Sequence, residues 1–168
     1  TPGELIIAAG DQPKVYGAPG FGLDPGAFSV SGLVAWDSVD AVTLRSEGTA
    51  LSAVVDTYDI VPSAPVGSGL DNYVPVFQPG TLSVTPAPLT ITPRDQTKPE
   101  GTDFAFDGTE FTTAGLRPVN DDAVTVVELT SEAAGTGGTA AGSPFPIFAA
   151  NPLGRGLENY AIATGIGA

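Results

Sequence analysis

The chain has 168 residues, and 19 Asp and Glu against 6 Lys and Arg give a formal net charge of −13. It contains no Cys, His or Met, which excludes Cys–His and Ser–His–Asp nucleophilic sites, zinc sites built from thiolate or imidazole ligands, and disulfides. The acidic balance argues against nucleic-acid binding, because phosphate contacts need clustered Lys and Arg. No apolar run approaches the roughly 18 residues of a membrane span, so membrane insertion is not expected.

The predicted elements are short strands separated by Gly- and Pro-rich turns. In chain order, apolar and polar residues alternate around Phe28/Val30, Val42/Leu44, Tyr58/Ile60 and Val74/Val76, and then through Thr81–Thr85 and Pro88–Thr92. This period of two predicts strands with one buried face. Residues 36–40 and 118–122 predict either one or two helical turns or an Asx turn. The fold class is therefore mostly β.

Five sequence blocks occur twice, in the same order and at offsets of 82 to 87 residues. They are Leu5–Gly17 and Leu89–Gly101, Phe28–Leu33 and Phe111–Leu116, Asp40–Leu44 and Asp122–Val126, Tyr58–Ile60 and Phe145–Ile147, and Gly69–Tyr73 and Gly156–Tyr160. A repeat of about 84 residues is too long for a solenoid unit and suits a small domain. We therefore predict two tandem domains, residues 1–86 and 87–168.

The two ends of the chain also carry information. The start at Thr1-Pro2-Gly3, without Met, predicts a piece of a longer protein. The first copy continues from Tyr73 through Gly80–Pro86, whereas the second stops at Gly165–Ala168. The second domain is therefore expected to lack its last strand, which would leave an unpaired sheet edge.

Several motifs of the first copy resemble a known family. They are Leu5-x-Ile7 followed by Asp11-Gln12-Pro13-Lys14-Val15-Tyr16-Gly17, then Ser31-Gly32-Leu33, Tyr58-x-Ile60, Leu70-x-Asn72-Tyr73 and Gly80-Thr81-Leu82-x-Val84-x-Pro86. Together they resemble the MBG/YDG-type repeat domains of bacterial filamentous-haemagglutinin-like surface proteins. The second copy departs from the pattern, with Pro99-Glu100-Gly101 where the first has Val15-Tyr16-Gly17.

The resemblance implies two small β-grasp-like domains with a structural or adhesive role at the bacterial cell surface, and it carries over no catalytic or ligand-binding residue. The alternation of short strands fits immunoglobulin-like β-sandwiches equally well, so this alternative stays open.

Acidic residues lie mostly beside turn residues. They are Asp11, Asp24, Asp37, Asp40, Asp56, Asp59, Asp71, Asp103, Asp107, Asp121 and Asp122. Oxygen-rich loops can hold Ca²⁺, but no Asp-x-Asp-x-Asp-Gly loop is present, so solvated turn residues are the favoured interpretation. The pairs Asp37/Asp40 and Glu128/Glu132 would suit glycoside hydrolysis only within a long cleft, which domains of this size seldom supply. We therefore expect no enzyme activity and no cofactor.

The aromatic residues are divided between core and surface. Three pairs recur in both copies and are expected to fill the cores: Phe28/Phe111, Tyr58/Phe145 and Tyr73/Tyr160. Trp36 has no aromatic counterpart in the second copy. It is a candidate contact for a sugar or a protein, although the size of the ring favours a core position.

The two lysines, Lys14 and Lys98, hold the same place in each copy. They would either contact an acidic partner or, as we favour, lie along a sheet edge. There the ammonium group would be paired to a nearby acid or would keep the edge from pairing with another strand.

The function that we expect is a stalk: a monomeric row of β domains, extracellular, that holds a distal binding region away from the cell. Its partners would be the neighbouring repeats. The alternative is an adhesive module that itself binds a host glycan or protein.

Overall fold

The computed structural model describes residues 2–136 and 139–168. Contacts divide the chain into two units, Thr1–Thr85 (unit 1) and Pro86–Ala168 (unit 2). In unit 1, β-branched residues cut by Gly and Pro form seven strands. They are β1 (Gly3–Ala9), β2 (Gln12–Val15), β3 (Phe28–Ser31), β4 (Ser38–Arg45), β5 (Thr57–Ser68), β6 (Tyr73–Gln78) and β7 (Gly80–Thr85).

Unit 1 contains two sheets. In the first, β1 lies between β3, with which it pairs antiparallel, and β6, with which it pairs parallel. The second sheet has the order β2-β7-β5-β4. There β7 pairs parallel with β2 and antiparallel with β5, so it is covered on both edges.

Unit 2 repeats this arrangement with fewer residues in strands. Its strands are β8 (Ala87–Pro93), β9 (Phe111–Ala114), β10 (Ala123–Thr130), β11 (Ile147–Arg155), β12 (Tyr160–Thr164) and β13 (Ile166–Gly167). The sheet β12-β8-β9 has the pairing of β6-β1-β3, and the sheet β10-β11-β13 has that of β4-β5-β7.

The core of unit 1 is built from alternate residues of its strands. Leu5, Ile7, Val42 and Tyr73 form one buried cluster, and Phe28 packs against it half-buried. Burying one such side chain fully contributes about 1.5–3 kcal/mol. In unit 2 the same positions are held by Leu89, Ile91, Val127 and Tyr160, all buried.

The mostly β prediction is confirmed, since the described residues contain strands and 3₁₀ turns but no α-helix. The choice between β-grasp-like and immunoglobulin-like topology stays a prediction. Residues 36–40 and 118–122 do not form the predicted helical turns, because β4 begins at Ser38 and β10 at Ala123. The turn before each strand is closed by a backbone hydrogen bond and not by an Asx side chain: the Asp37 amide donates to the Val34 carbonyl, and the Asp122 amide to the Val119 carbonyl. In the described part of the chain, no helix is long and apolar enough to cross a membrane.

The alternating pattern around Val74 correctly predicted a strand, but the prediction that Val74 and Val76 form its buried face was wrong. Val74 is 57% exposed and Val76 40% exposed on β6. β6 is an edge strand, and an edge strand can be exposed to solvent on both faces along part of its length. Alternation of apolar and polar residues therefore did not predict which side chains of β6 are buried.

One repeated block was aligned wrongly. The sequence pairs Asp40 with Asp122, whereas the structure pairs Asp37 with Asp122. Both carboxylates accept a hydrogen bond from the hydroxyl of the equivalent tyrosine, and each is followed directly by a strand, β4 or β10. The true offset of this block is therefore three residues larger than the sequence identities indicated.

Candidate functional site: the Trp36 turn

The feature of unit 1 that stands out chemically is the tight turn Val34–Asp37. The Asp37 amide donates to the Val34 carbonyl at 3.3 Å. Trp36, the third residue, has φ 81°, a left-handed conformation that is uncommon for a bulky residue. The residue is 98% exposed, so its ring is open to solvent. The preference for a core position was therefore wrong: the turn presents the ring to solvent.

Tyr73 holds both ends of this turn. Its hydroxyl accepts a hydrogen bond from the Val34 amide at 3.0 Å and donates one to Asp37 Oδ2 at 2.7 Å. The Val34 bond lowers the pKa of Tyr73, but burial and the Asp37 carboxylate outweigh it, so the pKa is raised above its usual value. The phenol is therefore kept protonated and able to donate.

Gly69 completes the support of the turn. It has φ 70° and directly precedes the 3₁₀ turn Leu70–Asn72. A Cβ atom at this position would overlap the Asp37 carboxylate. Glycine is thus required both by the backbone conformation and by the close approach of Asp37.

Unit 2 has the same support without the aromatic ring. Tyr160 accepts from the Arg117 amide at 3.0 Å and donates to Asp122 Oδ2 at 2.7 Å. Burial and the Asp122 bond raise the pKa of Tyr160. Gly156, with φ 70°, lies against Asp122. At the place of Trp36, however, the turn carries Asp121.

In a scan against protein-family models, residues 5–83 match the MBG domain (YGX type). Unit 1 is similar to this family over nearly its whole length. The matched range includes Tyr16-Gly17, and Tyr16 is fully buried. MBG domains are repeat modules of surface proteins, and the family is not an enzyme family. Searches of the curated proteins and of the solved structures found no significant match to the chain.

The acid pairs considered from the sequence have separate environments. In unit 1, Asp37 accepts a hydrogen bond from the Tyr73 hydroxyl, while Asp40 is exposed on β4. In unit 2, Glu128 accepts from Asn151 Nδ2 at 2.6 Å, and Glu132 is exposed beyond the end of β10. No catalytic role follows from these arrangements.

Several of the turn aspartates bind backbone amides of their own loops or of a neighbouring strand. Asp11 accepts from the Thr81 amide, Asp24 from the Gly26 amide and Asp107 from the Thr109 amide, at 2.7, 2.9 and 2.8 Å. The bonds from Thr109 lower the pKa of Asp107. Among the described residues, acids do not cluster in groups of three or more that could hold a metal ion.

Lys14 lies on the edge strand β2 as expected, but its ammonium donates to backbone carbonyls and not to an acid. It is only 2% exposed, and its ammonium donates to the carbonyls of Gly48, at 2.8 Å, and Ala50. Lys98 is half-buried and donates to the carbonyls of Thr102 and Gly135. Both lysines thus hold loop carbonyls, and burial lowers the pKa of Lys14.

Two of the three recurring aromatic pairs are less buried than expected. Tyr73 and Tyr160 lie in the cores as predicted, whereas Phe28 and Phe111, and Tyr58 and Phe145, are half-buried. The sequence analysis missed what the Tyr73 and Tyr160 hydroxyls do. The signal was present: an Asp lies before a strand in each copy, and the tyrosine is retained where a phenylalanine would fill the core equally well.

A groove of about 530 Å³ opens in unit 2. One wall is formed by residues 95–98 and the other by residues 143–145 and Ile147, with Ala168 at the same site. Phe104 and Phe106 also line it, with their rings edge to face at 5.1 Å. Residues 95–99 form no strand, although they follow β8 as β2 follows β1.

Proposed function

We propose that the chain is a stalk segment of a bacterial surface or secreted adhesin, in which successive small β domains set the distance between the cell and a distal binding region. The observation that carries this proposal is the repetition of one strand arrangement in units 1 and 2. In this proposal unit 2 is a second MBG domain, although its sequence departs from the family pattern at Pro99-Glu100-Gly101.

The connection between the units supports a spacer role. β7 ends at Thr85 and β8 begins at Ala87, so Pro86 alone joins two strands. Proline fixes its own φ angle and restricts the residue before it. A joint of this kind is short and semi-rigid compared with a Gly/Ser tether. The net charge of −13 would keep neighbouring stalks apart and soluble.

Small-angle X-ray scattering tests the stalk. Each module should measure about 25 Å by the size scaling of compact domains. The spacer proposal expects a monomer with a maximum dimension near the sum of the two modules. A matched variant in which Gly-Ser-Gly-Ser replaces Pro86 should show a broader distribution of distances. A profile identical to that of a single globule of 168 residues would contradict the proposal.

A second candidate, an adhesive module, is favoured by the Trp36 turn. The turn holds an aromatic ring in solvent with its backbone in a costly conformation. The Tyr73 hydroxyl fixes it by accepting a hydrogen bond from the Val34 amide and donating one to Asp37. Aromatic rings carry much of the energy at binding surfaces, and strained residues concentrate at functional positions. The partner would be a host glycan or protein.

A glycan array and a panel of host surface proteins test this second candidate with the intact chain. Binding should be abolished by Trp36→Ala and retained by Val74→Ala, which removes an exposed apolar side chain from β6 instead. Absence of binding in both panels, or equal binding by the two variants, would leave the stalk as the function.

A further inference from the structure

The groove of unit 2 occupies the place that β7 fills in unit 1. In unit 1, Leu82 lies opposite Tyr58 on β5, and Val84 lies opposite Lys14 on β2. Both side chains are buried, Leu82 completely. The counterparts of the two neighbouring strands in unit 2 are residues 143–147 and 95–99. These are the segments that form the two walls of the groove.

The chain already enters this groove in the register of β7. Gly167 pairs with Ile147 as Gly80 pairs with Ile60. The Ala168 amide donates to Asp95 Oδ1 at 2.9 Å, as the Thr81 amide donates to Asp11 Oδ1 at 2.7 Å. The Ala168 carbonyl in turn accepts from the Gln96 amide at 2.8 Å. Ala168 thus stands where Thr81 stands in β7.

The wall formed by residues 143–147 can pair with a further strand. In unit 1 the Val84 amide donates to the Asp56 carbonyl at 2.9 Å. Since ladder bonds recur at every second residue of an antiparallel strand, Asp56 and Tyr58 face β7. Their counterparts are Ser143 and Phe145. The Ser143 amide already donates to the Ala140 carbonyl at 3.3 Å, so Ser143 offers its carbonyl, as Asp56 does in unit 1. Pro144 and Pro146 take the intervening positions, whose amides face away, so neither proline removes a donor from the groove.

The other wall follows the same rule. In unit 1 the Tyr16 amide donates to the Thr85 carbonyl at 2.9 Å, so Lys14 and Tyr16 are the residues of that segment whose amides face β7. Their counterparts are Lys98 and Glu100. Pro99 lies between them, at a position facing away. All three prolines of the two walls are therefore compatible with an added strand.

We propose that this groove is the acceptor site for an extended segment of polypeptide that continues directly from Ala168, with apolar side chains at its first and third positions. Those positions correspond to Leu82 and Val84. The apolar side chains Phe145 and Ile147 line the groove, and backbone groups on both walls supply the hydrogen bonds, as in strand addition to a sheet edge. A strand joined to Ala168 binds intramolecularly, so it avoids the loss of translational and rotational freedom that a free peptide undergoes on binding.

The test extends the chain after Ala168 by Leu-Ser-Val-Thr, the sequence of residues 82–85. The matched control extends it by Ser-Leu-Thr-Val, which has the same composition but shifts the apolar residues by one position. A shift of one residue turns every side chain to the opposite face of a strand. The first extension should raise the melting temperature of unit 2 by about 5 °C or more, while the control should raise it little.

Amide hydrogen exchange gives an independent readout. The Leu-Ser-Val-Thr extension should slow exchange of the Phe145 and Glu100 amides by about tenfold or more. The Thr97 amide, which faces away, and the Tyr16 amide in unit 1 should be unchanged. Exchange as fast as in the 168-residue chain, or equal slowing by both extensions, would overturn the proposal.

Discussion

At the scale of single residues, the Tyr73 hydroxyl joins the two ends of the Trp36 turn. Replacing Tyr73 by Phe keeps the buried ring and removes both hydrogen bonds, leaving the Val34 amide and the Asp37 carboxylate to rehydrate in a crowded site. We expect the melting temperature of unit 1 to fall by about 5 °C, measured by circular dichroism.

Tyr58→Phe is the control for this substitution. The Tyr58 hydroxyl donates a single bond to the Val54 carbonyl, at 3.1 Å and in an exposed position. Its loss should therefore shift the melting temperature much less. Equal shifts for the two variants would show that the Tyr73 hydroxyl does not hold the turn.

The buried ammonium of Lys14 predicts a dependence of stability on pH. Burial lowers its pKa in the folded protein, while the unfolded chain titrates near 10.4, so between these values the unfolded state binds more protons. Stability must then rise with pH in that window. Relative to Lys14→Met, the intact protein should gain free energy of unfolding as the pH increases toward 10.4. Urea titrations of both proteins measure this difference, and a constant difference from pH 7 to 10 would contradict it.

Residue environments were the part of the structure that the sequence predicted least well. A charged residue on a predicted strand is expected to be exposed. Lys14 is nevertheless buried, because Gly48 and Ala50, more than 30 residues away in the chain, supply carbonyls to its ammonium. A tryptophan is expected to lie in the core. Trp36 is nevertheless exposed, because it lies in a turn that Tyr73 holds by a hydrogen bond. Both outcomes depend on contacts between segments far apart in the chain.

At the scale of elements, β7 joins the second sheet of unit 1 by pairing with both β2 and β5. Leu82 on β7 is fully buried, so Leu82→Ala should cost about 2–5 kcal/mol of unfolding free energy in chemical denaturation. The control is Val66→Ala on β5, where the side chain is 61% exposed and the expected change is within about 0.5 kcal/mol. A loss at Leu82 no greater than at Val66 would show that β7 contributes little to the fold.

Strand positions could be read from the sequence because alternation is a local signal. Thr81–Thr85 and Pro88–Thr92 fall within β7 and β8, with Leu82, Val84, Leu89 and Ile91 buried. The alignment of the Asp40 block could not be read in this way. Two aspartates lie near the start of β4: Asp37 directly precedes the strand, and Asp40 lies within it. Letter identity favoured Asp40, although the contact with Tyr73 belongs to Asp37.

At the scale of the whole molecule, unit 1 holds a complete set of seven strands whose pairings all lie within it. A shortened chain of residues 1–85 should therefore fold alone, although about 85 residues is close to the size at which a single core becomes marginal. Its amide NMR spectrum should superimpose on that of unit 1 in the full chain, apart from residues next to Thr85. A spectrum typical of an unfolded chain would show that unit 1 needs the remaining residues.

Trp36 is the only tryptophan of the chain, and its indole is already surrounded by water in the native state. Tryptophan fluorescence should consequently change little when the protein denatures. A denaturation experiment followed by this signal alone would therefore miss the unfolding transition. For the same reason, a change in tryptophan emission would report directly that a molecule has bound against this ring.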